Sequence, residues 1–259
     1  MDSPANTPRR EKEAIPATSI PLSPCPGPRH SLKIPPAIAG GLKRSNGGRD
    51  QGIFKDFLYI ILRDGVNHLV SENYFYKTEP YYTILKYEME GRPVRPSTSD
   101  VLDAYVVPIC LERAKQAGIP VCSWEISQGY VPLPAIIYGL NYFAASSDYV
   151  VVNNGEKAKE VIRHVTNKGK YPFCYQKLPG DATIHTCIGI FGKTVGSTST
   201  VARLAAMVYE VFSIPLVTMV FIRVGEDYLL SSLSPTKYSQ LSGKEKSILT
   251  AYLSNQAFL

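Results

Sequence analysis

The chain has 259 residues and a formal net charge of +6, but residues 1–52 alone hold eight lysines and arginines against four acids, so the remainder is close to neutral. A near-neutral body lacks the continuous basic face that a dedicated nucleic-acid-binding fold turns toward phosphates, so nucleic acid is not an expected partner of the folded part. Five cysteines without a C-x-x-C pair exclude a small disulfide scaffold and fit reduced thiols in a cytoplasmic setting, and neither a secretory leader nor a membrane span is expected.

Residues 1–52 carry nine prolines and no Phe, Tyr or Trp. Such a segment cannot bury enough apolar surface to offset its ordering entropy, so a disordered, basic, Pro-rich tail is expected, with the folded domain over 53–259. Phe57 to Leu62 is a short apolar run ending at Arg63-Asp64-Gly65, a buried strand followed by a turn. Tyr81, Ile84, Leu85 and Met89 recur at helical spacing, so a helix is expected from Tyr81 to Glu90, with Gly91 placed to end it. Tyr81 falls on the buried stripe of that helix; Tyr82, about 100° further round, points to its side. Ser97 and Asp100 have capping-box spacing and open a further helix, which Pro108 interrupts or kinks before it resumes to Ala117 and stops at Gly118.

Pro132 to Ala145 is apolar nearly all round and reads as a buried helix. Tyr149 to Val152 reads as a strand, Gly155 to about Asn167 as a charged helix, and Thr183 to Phe191 as another strand. Val201, Leu204, Ala205, Val208 and Phe212 form one stripe of a helix from Thr198 to Phe212. Leu216 to Val224 and Tyr228 to Leu233 are strands joined across Gly225-Glu226-Asp227 as a hairpin, and a short helix spans about Gly243 to Ser254. The whole predicts an α+β fold: a mixed sheet with helices packed on it and an antiparallel C-terminal hairpin.

Several local patterns invite chemistry. Gly192-Lys193-Thr194 matches the end of a phosphate-cradling P-loop, but the position that needs its first glycine is Cys187. His185 and Cys187 share a strand face and have no second pair nearby in sequence, so no metal site is expected. Ser231, Ser232 and Ser234 fall at a strand end and read as turn chemistry, and Glu88 and Glu90 read as solvated helix charges. Tyr74, Tyr76, Tyr81, Tyr82 and Tyr87, interleaved with Lys77, Lys86, Arg92 and Arg95, suit either packing or capture of an anionic ligand.

Two blocks carry a family resemblance. The first comprises Gly65 to Leu69, Asn73 to Tyr76, and Pro80 to Ser97: strand, aromatic loop, paired tyrosines opening a helix, then glycine and a strand ending in Pro96-Ser97. The second runs from Ile188 to Lys193, through the Val201–Phe212 helix and Ile214-Pro215-Leu216, to the strand Val220 to Arg223, the hairpin, and Leu233 to Leu241. Together they resemble the N-terminal domain of RimK-like ATP-grasp ligases, in a copy without the ligase module. The resemblance implies a setting of amide or peptide-bond formation, with an ATP-grasp ligase supplied in trans or an amino-acid or peptide substrate as partner. Leu111 to Val121 and Tyr171 to Lys177 superficially resemble ATP-grasp segments as well. A working ATP-grasp site needs acidic metal ligands near its C-terminal end, and Tyr228 to Pro235 contains no Glu, Asp or Asn. The expectation is therefore a non-catalytic accessory or binding domain without cofactor, with Tyr81, Tyr82, Arg92 and Arg95 as its contact surface. Two alternatives stand beside it. One is a divergent ATP-grasp carboxylate–amine ligase using ATP and Mg, with Lys177 and Lys193 touching phosphates. The other is a nucleic-acid-associated protein acting through its tail.

Overall fold

The computed structural model describes residues 58–141 and 144–254. The tail expected over 1–52 and the domain start at Ile53 lie outside these residues. Among the described residues the fold is α+β, with three sheets and helices packed on them.

The first sheet has the order β1-β2-β3, with β1 at Leu58–Arg63, β2 at Val66–Ser71 and β3 at Val94–Arg95. It is mixed: β1 and β2 are antiparallel, β2 and β3 parallel. The β1–β2 hairpin closes over Asp64 and Gly65 at φ 50° and 77°, the pair of positive φ values that Asp-Gly supplies most cheaply. Between β2 and β3 lies α1, Glu79–Met89. Thr78 caps it, and Pro80 sits in its first turn, where a missing N–H costs nothing. The helix thus begins two residues before Tyr81.

Two short helices follow, α2 at Thr98–Tyr105 and α3 at Val107–Gln116. Ser97 and Asp100 form the expected capping box. Pro108 goes beyond a kink: Val106 is extended, and the proline sits in the first turn of a new helix. Arg113 on α3 ties the group together. Its guanidinium donates to Asp103 at 2.9 Å, to Asp100 at 3.0 Å and to the Val211 carbonyl at 3.0 Å. Glu88 is likewise no free surface charge, since it accepts from the Thr98 N–H at 2.8 Å and its hydroxyl at 2.7 Å.

The second sheet has the order β4-β7-β5-β6: β4 Glu125–Ser127, β5 Ala135–Gly139, β6 Val150–Val152 and β7 Phe173–Lys177, all antiparallel. Helix α4, Gly155–Val165, joins β6 to β7. The buried helix expected over Pro132 to Ala145 is therefore wrong: this stretch holds β5. Ala135, Ile136, Ile137 and Tyr138 are all buried because both faces of β5 are covered, and a strand buried on both sides shows no alternation to betray it. Ile136, Tyr138, Cys174 and Gln176 share one face and join the main core, while Ala135, Ile137, Phe173 and Tyr175 face the other way into a cluster with α4.

The third sheet has the order β10-β9-β8, with β8 Thr183–Ile190, β9 Leu216–Val224 and β10 Asp227–Ser234. Helix α5, Ser199–Phe212, buries Val201, Leu204, Ala205, Val208 and Phe212, the stripe read from spacing. Helix α6, Gly243–Leu253, adds Leu249 and Tyr252 to a second core with Ile61, Val70, Ile190, Phe191, Leu216 and Leu241. No helix among the described residues is long and apolar enough to cross a membrane.

Arg113 satisfies one main-chain carbonyl and two carboxylates in a partly buried setting, so Arg113→Ala is expected to cost about 1–3 kcal/mol. Urea melts of the two proteins measure it; a loss within about 0.5 kcal/mol, typical of a surface change, would show the three bonds to be dispensable.

Candidate functional site

A buried polar cluster lies where Tyr138 of β5 and Gln176 of β7 meet Ser231 of β10. Leu230 pairs with Phe221, but Ser232 pairs with Val220, so β10 bulges at Ser231. The bulge resets the alternation and brings Leu233, rather than Ser232, into line with Met219 on the core face. It also drops Ser231 out of the ladder, which leaves its main-chain groups needing partners. Gln176 on β7 supplies one: its amide donates to the Ser231 carbonyl at 2.8 Å. The Ser231 hydroxyl donates to Gln176 Oε1 at 2.6 Å. That bond uses the only serine proton, so in the 2.6 Å contact between Tyr138 and Ser231 the tyrosine is the donor. Burial raises the Tyr138 phenol above its ordinary pKa and keeps it protonated for that role. A third tie comes from Ser146, whose hydroxyl donates to the Leu233 carbonyl at 2.5 Å.

The strand-end serines read from sequence as turn chemistry are instead buried: Ser231, Ser232 and Ser234 lie within β10. Among the described residues no group of three or more His, Cys, Asp or Glu is placed to hold a metal ion. The donor set at this end of β10 is neutral and partly consumed by internal bonds.

The residues proposed as phosphate contacts are placed apart. Lys177 pairs with Ala135, so it lies on the α4-facing side of the second sheet, while its neighbour Gln176 faces β10. Lys193 follows β8 at its far end, with its ammonium 5.5 Å from the Tyr252 ring centre. Ile190 and Lys193 close a two-residue turn over Phe191 and Gly192, both at positive φ. A Cβ on Gly192 would also stand 3.3 Å from the Ala206 Cα, so the glycine serves the turn and the approach of α5. His185 and Cys187 do share a strand face, but burial pushes the Cys187 thiol up to about 12, far from thiolate chemistry at neutral pH.

The first sheet divides the aromatic–arginine set. Tyr81 is buried and meets Tyr76 edge-on at 5.3 Å, whereas Tyr82 is 51 % exposed. Leu85 is only half-buried and Met89 is 80 % exposed, so the apolar stripe of α1 is shorter than its spacing suggests. Arg92 stacks on the Tyr87 ring at 3.7 Å and pairs with Glu90 at 3.5 Å. Arg95 pairs in register with His68, whereas Val94 pairs with Asn67, so Arg95 rises from the sheet face opposite the one packed on Tyr81 and Ile84. Tyr81, Tyr82 and Arg92 thus share one side, and Arg95 occupies another. A cavity of about 840 Å³ lies between the β5–β6 connection and α4. Lys157, His164, Asp148, Tyr149 and Tyr171 line it, and none was singled out by sequence reasoning, because neither spacing nor composition marks them.

No family model matches the chain, and no curated protein matches it. Solved structures do. D-alanine–D-alanine ligase from Bacillus anthracis is similar at a TM-score of 0.51 and 11% identity, over 67% of this chain and 72% of that one. The same ligase complexed with ATP gives 0.50 and 11%, over 68% and 72%. A RimK domain ATP-grasp protein from Sphaerobacter thermophilus gives 0.49 and 12%, over 70% and 75%. The structural neighbours are ATP-grasp ligases at low identity, and the likeness is one of fold. It extends over most of the ligase chain, whereas the sequence expectation was narrower, an N-terminal domain standing alone.

Two measurements follow from this geometry. Ser231→Ala strands Tyr138 and Gln176 and should cost about 2–4 kcal/mol, while Tyr138→Phe leaves Ser231 bonded to Gln176 and should cost about 1 kcal/mol. Equal losses in denaturant melts would show that the cluster does not work as a chain. Tyr81→Ala should cost roughly 3 kcal/mol or more through a cavity, and Tyr82→Ala less than about 1 kcal/mol. A reversed order would remove Tyr82 as a surface contact.

Proposed function

We propose that this chain is a binding protein on the ATP-grasp fold that does not carry out the ligase reaction. The observation that supports this is the C-terminal strand of the fold. Where the family resemblance implies acidic metal ligands, β10 offers Ser231, Ser232 and Ser234, and the first of these is committed to Tyr138 and Gln176. A phosphoryl-transfer site needs charge that neutralises developing negative charge, and neutral hydroxyls do not supply it. The chain then serves as an accessory to amide or peptide-bond formation, taking an amino-acid or peptide substrate or a ligase in trans. Tyr82 and Arg92 on the exposed side of α1 provide the contact surface, tyrosine for area and arginine for carboxylate recognition.

The divergent-ligase reading has the shared fold behind it and Lys177 exposed at the end of β7. Isothermal titration with Mg-ATP separates the two. The accessory reading expects no site tighter than about millimolar. A micromolar site lost in Lys177→Ala, together with release of inorganic phosphate in the presence of amino acids, would replace it with the ligase.

A further inference from the structure

Helix α4 and the turn that follows it gather the positive charge of the folded part. Residues 153–170 hold Lys157, Lys159, Arg163, Lys168 and Lys170 against Glu156 and Glu160, a net +3, whereas residues 53–259 as a whole come to +2. Three of these cations share one cleft. Lys159 and Arg163 of α4 and Lys168 of the turn line a space of about 330 Å³, with Gln128 and Gly129 of the β4–β5 connection among its other walls.

The turn holds Lys168 at that cleft. Asn167, Lys168 and Gly169 are all left-handed, at φ 48°, 59° and 85°. A lysine adopts this region reluctantly, so the conformation needs support from its surroundings. Thr166 gives it: the buried hydroxyl donates to the Ile162 carbonyl at 2.6 Å and accepts from the Gly169 N–H at 2.8 Å. The Lys168 N–H donates to the Arg163 carbonyl at 2.8 Å, so the main chains of two of the cations are tied directly.

None of the three is spent inside the protein. Lys159, Arg163 and Lys168 are exposed, and their side chains make no ion pair, hydrogen bond or ring contact among the described residues. Glu156 and Glu160, the acids of the same helix, are not paired with them, and Glu160 lines the cavity on the other flank of α4. Positive charge near a helix C-terminus is favourable, which accounts for Arg163 and Lys168; Lys159 stands a full turn before Arg163, at a spacing where like charges repel.

We propose that this cleft binds a diphosphate group carried by a small soluble ligand. Three cations around one space call for more than a single negative charge, which one carboxylate does not bring and two linked phosphates do. Arg163 offers a planar fork to paired phosphate oxygens, Lys159 and Lys168 offer point charges, and the exposed Gln128 amide offers a neutral donor. The side chains supply the neutralising charge themselves, so binding needs no divalent metal. Neither Lys177 nor Lys193 lines the cleft, and the site stands whether the chain is an accessory or a ligase.

The test titrates sodium pyrophosphate into the full chain in EDTA, at a constant ionic strength of about 0.1 M, with heat and backbone amide shifts both recorded. One site with a dissociation constant of about 1 mM or below is expected. Its shifts should centre on Gln128, Gly129 and residues 162–169. Arg163→Gln and Lys168→Ala should each weaken binding about fivefold or more, and Arg163→Lys less, because it keeps the charge and loses the fork. Sodium acetate should leave the same amides unmoved. The absence of a saturable shift with pyrophosphate up to about 20 mM would overturn the proposal. Acetate binding as tightly would also overturn it, as would Lys244→Gln on α6 weakening binding as much as Arg163→Gln, the mark of diffuse surface charge. Affinity lost in Lys177→Ala and kept in Arg163→Gln would move the phosphates out of the cleft and favour the ligase reading. Melts confirm that each variant folds, and the wild-type shift map decides where one does not.

Discussion

One extra residue in β10 organises the interior. The bulge at Ser231 breaks the ladder; Gln176 from the second sheet takes up the carbonyl it frees, and Tyr138 and Gln176 hold the Ser231 hydroxyl. A bulge is tolerable in a core only when such partners exist, because an unpaired buried carbonyl is costly. The partners in turn must come from β5 and β7 on the main-core face, which fixes the register between these two strands: Ile136 opposite Gln176, Tyr138 opposite Cys174. A slip of one residue would turn Lys177 toward β10 and Gln176 toward α4. The two sheets are thus held together by directional bonds as well as by apolar area, and Ser146 adds a tie from the β5–β6 connection.

The same cluster decides what the site is able to do. Each hydroxyl and amide in the chain from Tyr138 to Gln176 has its donor or acceptor role assigned within the protein. Groups spent on one another are unavailable to a ligand unless the ligand offers better bonds, and in a buried setting both sides must be replaced at once.

Elements with a strong period were legible in the sequence. The α5 stripe, the capping box at Ser97, the Asp64-Gly65 turn and the β9–β10 hairpin all announce themselves through local chemistry that tertiary structure had no cause to override. Legibility failed where both faces of an element are covered. β5 looked like a buried helix because continuous burial erases the period of two. β7, with Gln176 in the middle, was not marked as a strand, since a polar residue at a buried position makes sense only once Ser231 is seen opposite it. The first-turn proline Pro108 and the hydrogen-bonded Glu88 were visible as residues, but not the helix start of the one or the partner of the other. In the candidate contact set, helix phase separated Tyr81 from Tyr82, whereas nothing in the sequence could separate Arg92 from Arg95. That division depends on the pairing of β3 with β2, a contact across 26 residues of chain.

The near-neutral charge of the folded part conceals how unevenly its arginines are used. Arg113, on α3, has two carboxylates of α2 and a main-chain carbonyl of α5 as partners. Arg92 has a tyrosine ring and a carboxylate, enough to hold the guanidinium flat against α1. Arg95 is exposed and pairs in register with His68 on the opposite face of the first sheet. The contrast is between an arginine that ties α2, α3 and α5 together and one that rests on a single ring at the end of α1.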